Sequence, residues 1–206
     1  MTIALHDIPH LMRGSALGKQ QEAQAEASWS LEELAGRLIE LRGTGPSTAL
    51  SFAARLVLDA QQRHEPAAWI CGTESLFFPA DLEPGGVLLE ALPVVRMTDP
   101  QSAAVAADKL VRSGAFGLLL LDLGPDPWFP DALQKRLAHH AEAQHTAIIC
   151  LTEERQDARQ LGSVVSLRVE ATRNADRRCI LRATRDRQRR PGWSIEEEHH
   201  GTLGMR

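Results

Sequence analysis

The sequence predicts a three-layer α/β protein: a mostly parallel central sheet, helices on both faces, and a C-terminal antiparallel hairpin along one edge. Three observations predict it. Apolar runs of strand length alternate with segments of helical periodicity through most of the chain, the order that builds a parallel sheet covered on both sides. Gly117–Leu121 is apolar throughout rather than alternating, as a strand buried on both faces must be. Val164–Ala171 and Cys179–Arg185 are joined by a short polar stretch containing RNADR, too short for a crossover, so they pair antiparallel.

Each element has a local reason. Ser30 followed by Glu32 and Glu33 supplies an N-cap and first-turn carboxylates, so a short helix begins there. Arg37–Leu41 is the first strand and Thr48–Arg63 a helix whose apolar face is Ala49, Phe52, Ala53, Leu56 and Val57. Ala67–Cys71 and Pro93–Met97 are the next strands. Gln101–Arg112 is a helix ended at Ser113-Gly114 by a left-handed cap. Gly117–Leu121 follows, then a helix over Asp131–Ala143 behind Pro130, and a strand over Thr146–Leu151. The chain divides into an N-terminal extension and linker (1–28), a core (29–190) and a flexible tail (191–206). In the extension, short apolar patches (Ile3, Leu5, Ile8, Leu11, Met12) are broken by Pro9 and Gly14, and Gln20–Ala27 is polar without an apolar face.

Length and composition set bounds. A chain of 206 residues, 43% hydrophobic and 24% charged, can bury a full core. A net charge of −4 gives no global attraction to nucleic acid or membranes. No apolar run approaches the roughly 20 residues that span a bilayer, and no export signal opens the chain. Cys71, Cys150 and Cys179 lie in apolar stretches without metal-binding spacing, which points to reduced, buried thiols and a cytoplasmic location.

Leu38–Arg55 reads LIELRGTGPSTALSFAAR: strand, Gly-rich turn, helix, in the position of a phosphate-binding loop. Such a loop needs G-x-x-x-x-G-K-[ST], with backbone amides around the phosphates, a lysine on the β/γ oxygens and a hydroxyl on Mg²⁺. Here Gly43 to Thr48 contains no lysine and is two residues short of that motif, and Pro46 has no N–H to donate. Gly43, Gly45, Ser47 and Thr48 therefore stand as vestigial nucleotide-site positions. The alternatives are weak anion binding at the N-terminus of the following helix and a structural turn.

Three segments together resemble the core of RecA-like recombinases over Gly36 to Pro191. Leu38–Leu50 occupies the phosphate-loop position. Thr73-Glu74 follows the second strand, where that family places the glutamate that polarises the attacking water. Leu110–Asp122 (LVRSGAFGLLLLD) is similar to the family's helix, cap and Walker B strand. The resemblance implies a RecA-like fold with a degenerate phosphate loop and makes Glu74 and Asp122 inherited positions without their metal and γ-phosphate. The strand end IICLTEE lacks a polar γ-phosphate sensor, and Glu154 to Gly162 is too short for a mobile DNA-binding loop.

His10 to Gly18 (HLMRGSALG) resembles the opening of ImuA-type proteins, with Met12 in the place of the usual aromatic. That resemblance implies a non-enzymatic accessory factor in SOS-induced translesion mutagenesis, binding an ImuB-type polymerase-like protein and RecA. SulA-type division inhibitors are also distant RecA relatives of similar size, which implies a tubulin-like partner instead. A weak ATPase built on Glu74 and Asp122 is the third reading. On the first, no catalytic residue, cofactor or metal is expected.

Three places are candidates for partner contact. Leu11, Met12 and Arg13 lie in the extension and either dock on a partner or fold back on the sheet. Trp128 and Phe129, in the Pro-rich loop DLGPDPWFP, are either packed beneath it or an exposed anchor. Arg182, Arg185, Arg187, Arg189 and Arg190 end the last strand, and i, i+2 spacing would set a basic stripe on one face. Such a stripe would meet DNA phosphate or an acidic partner, or simply solvate an edge strand. His139, His140 and His145 have no helical i, i+4 metal spacing and are expected to be solvent-facing, whereas His199-His200 are either weak metal binders or part of the flexible tail.

Overall fold

The computed structural model describes residues 27–43, 46–72, 75, 77–153, 160–174 and 178–197. A single turn of helix, α1 (Leu31–Leu34), leads into β1 (Leu38–Gly43), α2 (Pro46–Gln62) and β2 (Ala67–Cys71). Two 3-10 turns (Pro79–Gly85, Leu89–Ala91) precede β3 (Val94–Arg96) and α3 (Pro100–Arg112). Then come β4 (Leu118–Asp122), α4 (Asp131–Gln144), β5 (Ala147–Glu153), β6 (Leu167–Arg173), β7 (Cys179–Asp186) and β8 (Ser194–Glu197). The strands form one eight-stranded sheet in the order β3-β2-β4-β5-β1-β6-β7-β8. From β3 to β6 all neighbours are parallel, and β6-β7-β8 is an antiparallel meander.

Side-chain alternation divides the core into two layers. Ile39, Leu41, Trp69, Leu120 and Ile149 face Phe52, Leu56 and Val57 of α2. Leu38, Ile70, Leu119, Leu121 and Ile148 face Ala103, Ala107 and Val111 of α3 and Leu133 and Leu137 of α4. Leu118–Leu121 is therefore buried on both sides, which is why no polar residue interrupts it. Each of those leucines contributes about 2 kcal/mol of apolar burial. Local chemistry sets the ends. Asp99 caps α3 by accepting the Ser102 amide at 2.8 Å with Pro100 in the first turn, and His145 closes α4 in the left-handed region at φ 52°.

The expected elements are present, with their ends shifted by up to three residues and with two 3-10 turns and β8 added. Helix α2 starts at Pro46 rather than Thr48, because the first turn needs no donor from proline. Strand β6 starts at Leu167 rather than Val164; Val165 instead turns into the second core layer beside Leu161. The flexible tail from residue 191 is corrected for Ser194–Glu197, which pairs with Cys179–Arg182 of β7. What anchors that strand is a buried latch. Asp186 accepts Arg37 at 2.6 Å and the Trp193 indole at 3.0 Å, so the hairpin end is tied to the start of β1.

Candidate functional site

The carboxyl ends of the parallel strands β1, β2, β4 and β5 lie at one end of the sheet, and the described nucleotide-site positions Gly43 and Asp122 fall there. Asp122 closes β4 with its side chain largely buried, and one of its oxygens accepts the Ser75 hydroxyl. Burial raises the Asp122 carboxyl above the ordinary range. Hydrogen bonds from Ser75 and the Gly124 amide oppose that rise, and the charge on Glu153 adds to it. A cavity of about 220 Å³ opens beside it, lined by Gly72, Ser75, Asp99, Asp122, Gly124 and Asp126. Asp99 is committed to Ser102, whose hydroxyl and amide hold its carboxyl below the usual range. Among the described residues, the lining offers carboxylates and no cation.

Gly43 ends β1 buried against Glu153 of β5 and Ala171 of β6. Thr48 is buried in the first turn of α2, and Ser47 is within that helix. Gly45 and Glu74 lie outside the described residues. Arg42, the cation nearest the loop in sequence, is buried and faces Glu170 of β6 at 3.8 Å. One row below, Glu40 takes Arg168 at 2.5 Å and the Thr152 hydroxyl at 3.4 Å. This charged lattice across β5, β1 and β6 was not anticipated. Its signal was in the sequence: Glu40 and Arg42 interrupt an apolar strand at the same i, i+2 spacing as Arg168 and Glu170.

The loop aromatics separate. Phe129 is fully buried in the second core layer, whereas Trp128 is 48% exposed. The arginines do not form the single stripe expected. A bulge where Arg168-Val169 meets β7 breaks the alternation, and the strand ends at Asp186. Arg182 is exposed opposite Glu170; Arg185 and Arg187 both donate to the Ser163 carbonyl; Arg189 turns to Glu33 at 2.6 Å; Arg190 is exposed. Leu11, Met12 and Arg13 lie outside the described residues, as do His199 and His200. Among the described residues no group of His, Cys, Asp or Glu is arranged to hold a metal, His139 and His145 are exposed, and all three cysteines are buried free thiols.

A second surface was not predicted. β3 is the sheet's edge, paired only to β2, so Val94 and Arg96 turn their backbone groups outward. Beside it runs a cleft of about 690 Å³ floored by Val95, Met97, Val105, Ala106 and Leu110.

No family model matches the chain. Part of it is similar to Protein RecA of Rhodospirillum rubrum, with 33% identity over 87 residues. That match covers 42% of this chain and 24% of the length of that protein. The similarity and the mostly parallel sheet fit a RecA-like core. Among the described residues, no helix is long and apolar enough to cross a membrane.

Proposed function

We propose that this chain is a RecA-related accessory factor that works by binding proteins and not by turning over nucleotide. In this reading it is an ImuA-like adaptor of SOS mutagenesis, acting in the cytoplasm and engaging an ImuB-type polymerase-like protein and RecA. The observation that carries it is the Gly43–Thr48 loop. A chain with RecA-like similarity lacks the lysine that a triphosphate requires, and the cavity at the carboxyl end of β4 presents Asp99, Asp122 and Asp126 with no cation among its described lining residues. The outward-facing β3 edge and the apolar cleft beside it support a protein-binding role, since an open strand edge is a template for another chain.

The test is co-elution, without nucleotide, of the purified protein with the ImuB-like and RecA proteins of its own genome. A complex with either supports the adaptor reading, and removal of residues 1–18 then asks whether Leu11, Met12 and Arg13 carry the contact. Failure to bind both, with the protein folded, refutes it and turns attention to a tubulin-like division protein as partner.

A further inference from the structure

We propose that Arg185 and Arg187 form a receptor for side-chain carboxylates of an acidic segment on a partner protein. The proposal rests on the protein-binding reading and names the chemistry that one partner surface would need. Both guanidinium groups donate to one neutral acceptor, the Ser163 carbonyl, Arg185 at 2.9 Å. Two cations are thereby brought together, and among the described residues no carboxylate pairs with either. The acid between them in sequence cannot neutralise them. Strand alternation turns Asp186 inward, where Arg37 at 2.6 Å and Trp193 at 3.0 Å occupy both of its oxygens.

The neighbouring cations are engaged elsewhere: Arg168 bridges Glu40 and the Leu161 carbonyl, and Arg189 pairs with Glu33. Arg185 is half-buried and Arg187 exposed, so the pair is held in place yet open to solvent. A guanidinium has five N–H donors, and one carbonyl bond each leaves an edge of both groups for a bidentate carboxylate.

The surroundings favour an acidic peptide over a nucleic-acid strand. A phosphate backbone needs successive cations along a track. Here the cations earlier in β7 face carboxylates: Glu170 stands opposite Arg182, and Glu196 pairs with Arg178 at 3.5 Å, which interrupts any such track along the strand. Trp193, the aromatic nearest in sequence, is tied to Asp186 by its N–H and packs partly buried against the first core layer, away from a stacking role.

The test uses the full chain and a fluorescein-labelled hexaglutamate peptide, followed by anisotropy at low salt. The double variant R185Q/R187Q should bind about tenfold more weakly, and R190Q should stay within about twofold of the unmodified protein. Equal binding by the double variant overturns the proposal. So does oligothymidylate binding tighter than hexaglutamate at the same salt, which would make the pair a nucleic-acid contact. Because the double variant also loses bonds to Ser163, amide exchange on the unmodified protein gives an independent reading. Hexaglutamate should slow exchange near residues 163 and 185–187, and no slowing overturns the proposal. Peptide binding that persists while co-elution with ImuB-like and RecA proteins fails would refute the adaptor reading alone. Co-elution without peptide binding would refute only this site.

Discussion

Replacing Asp186 with alanine should be among the most destabilising single changes outside the apolar core. Neither partner of its ion pair reaches water: the side chains of Arg37 and Asp186 are 4% and 0% exposed. The carboxylate accepts Arg37, the Trp193 indole and the Gln188 amide, so alanine strands three donors at once. Arg37 would keep only Ser166, whose hydroxyl and carbonyl sit at 3.3 Å. Removing one partner of a buried pair costs about 3–5 kcal/mol, because the remaining charge is left without a counter-charge or water. At roughly 2–4 °C per kcal/mol for a chain of this size, Tm should fall by about 6–20 °C.

Acid supplies a second arm of the same test. Burial pushes the Asp186 carboxyl up, but hydrogen bonds from Trp193, Gln188 and Arg37 outweigh it, and the folded value lies below the ordinary one. An unfolded aspartate titrates near pH ~3.9, so its stabilising contribution is present above that pH and is lost as pH falls through the lower folded value. The gap between wild type and D186A, read by urea melts, should narrow below about pH 4. A variant within about 2 °C of wild type at neutral pH would refute the latch as described.

Three further outcomes follow from the same geometry. His145→Gly should raise Tm by about 2–4 °C, since His145 is exposed at φ 52° and glycine removes a left-handed penalty of about 1 kcal/mol; an unchanged or lower Tm would contradict it. Cys71, Cys150 and Cys179 are buried, and burial pushes the Cys71 and Cys150 thiols up, so Ellman's reagent at about pH 8 should label the native chain slowly and all three thiols only in denaturant. Mg-ATP at about 1 mM should leave Tm unchanged in a thermal-shift assay, whereas occupancy at about 100 Kd would add roughly 2.7 kcal/mol. A clear upward shift would revive the ATPase reading.

The layered fold was legible because its causes are local and periodic. Leu118–Leu121 declares a doubly buried strand, and the Ala49, Phe52, Ala53, Leu56, Val57 spacing declares a helix with one apolar face. Strand β8 was missed because SIEE carries little apolar signal. Its position depends on Trp193 reaching Asp186 and Ile195 packing on the first core layer, both non-local events. The arginine stripe failed for a related reason. Spacing by two predicts a common face only in an unbroken strand, and the bulge opposite Arg168 is set by pairing with β6, which sequence spacing does not encode. Trp128 and Phe129 could not be told apart in advance, because the choice of which aromatic turns inward depends on the angle at which the loop enters α4.

The acidic carboxyl end of the sheet bears on whether this RecA-like framework can hold nucleotide. In a phosphate site, a strand-end aspartate is useful because a cation stands between it and the phosphates. Asp122 here is held by a serine hydroxyl, raised by burial, and joined around one cavity by Asp99 and Asp126, with Glu153 adding to the negative field. Arg42, the nearest cation in sequence, faces Glu170, and the buried Glu40–Arg168 pair beside it uses a further guanidinium within the sheet. A triphosphate brought to this cavity would meet Asp99, Asp122 and Asp126 and no cation among the described lining residues, a repulsion opposed by a helix N-terminus worth only about 0.3–1 kcal/mol. Supplying a lysine alone, as in Ser47→Lys, should therefore fail to confer nucleotide binding. A variant with that lysine and with Asp126→Asn should do measurably better, and nucleotide affinity after the single change would show that the loop, and not the field around it, is the barrier.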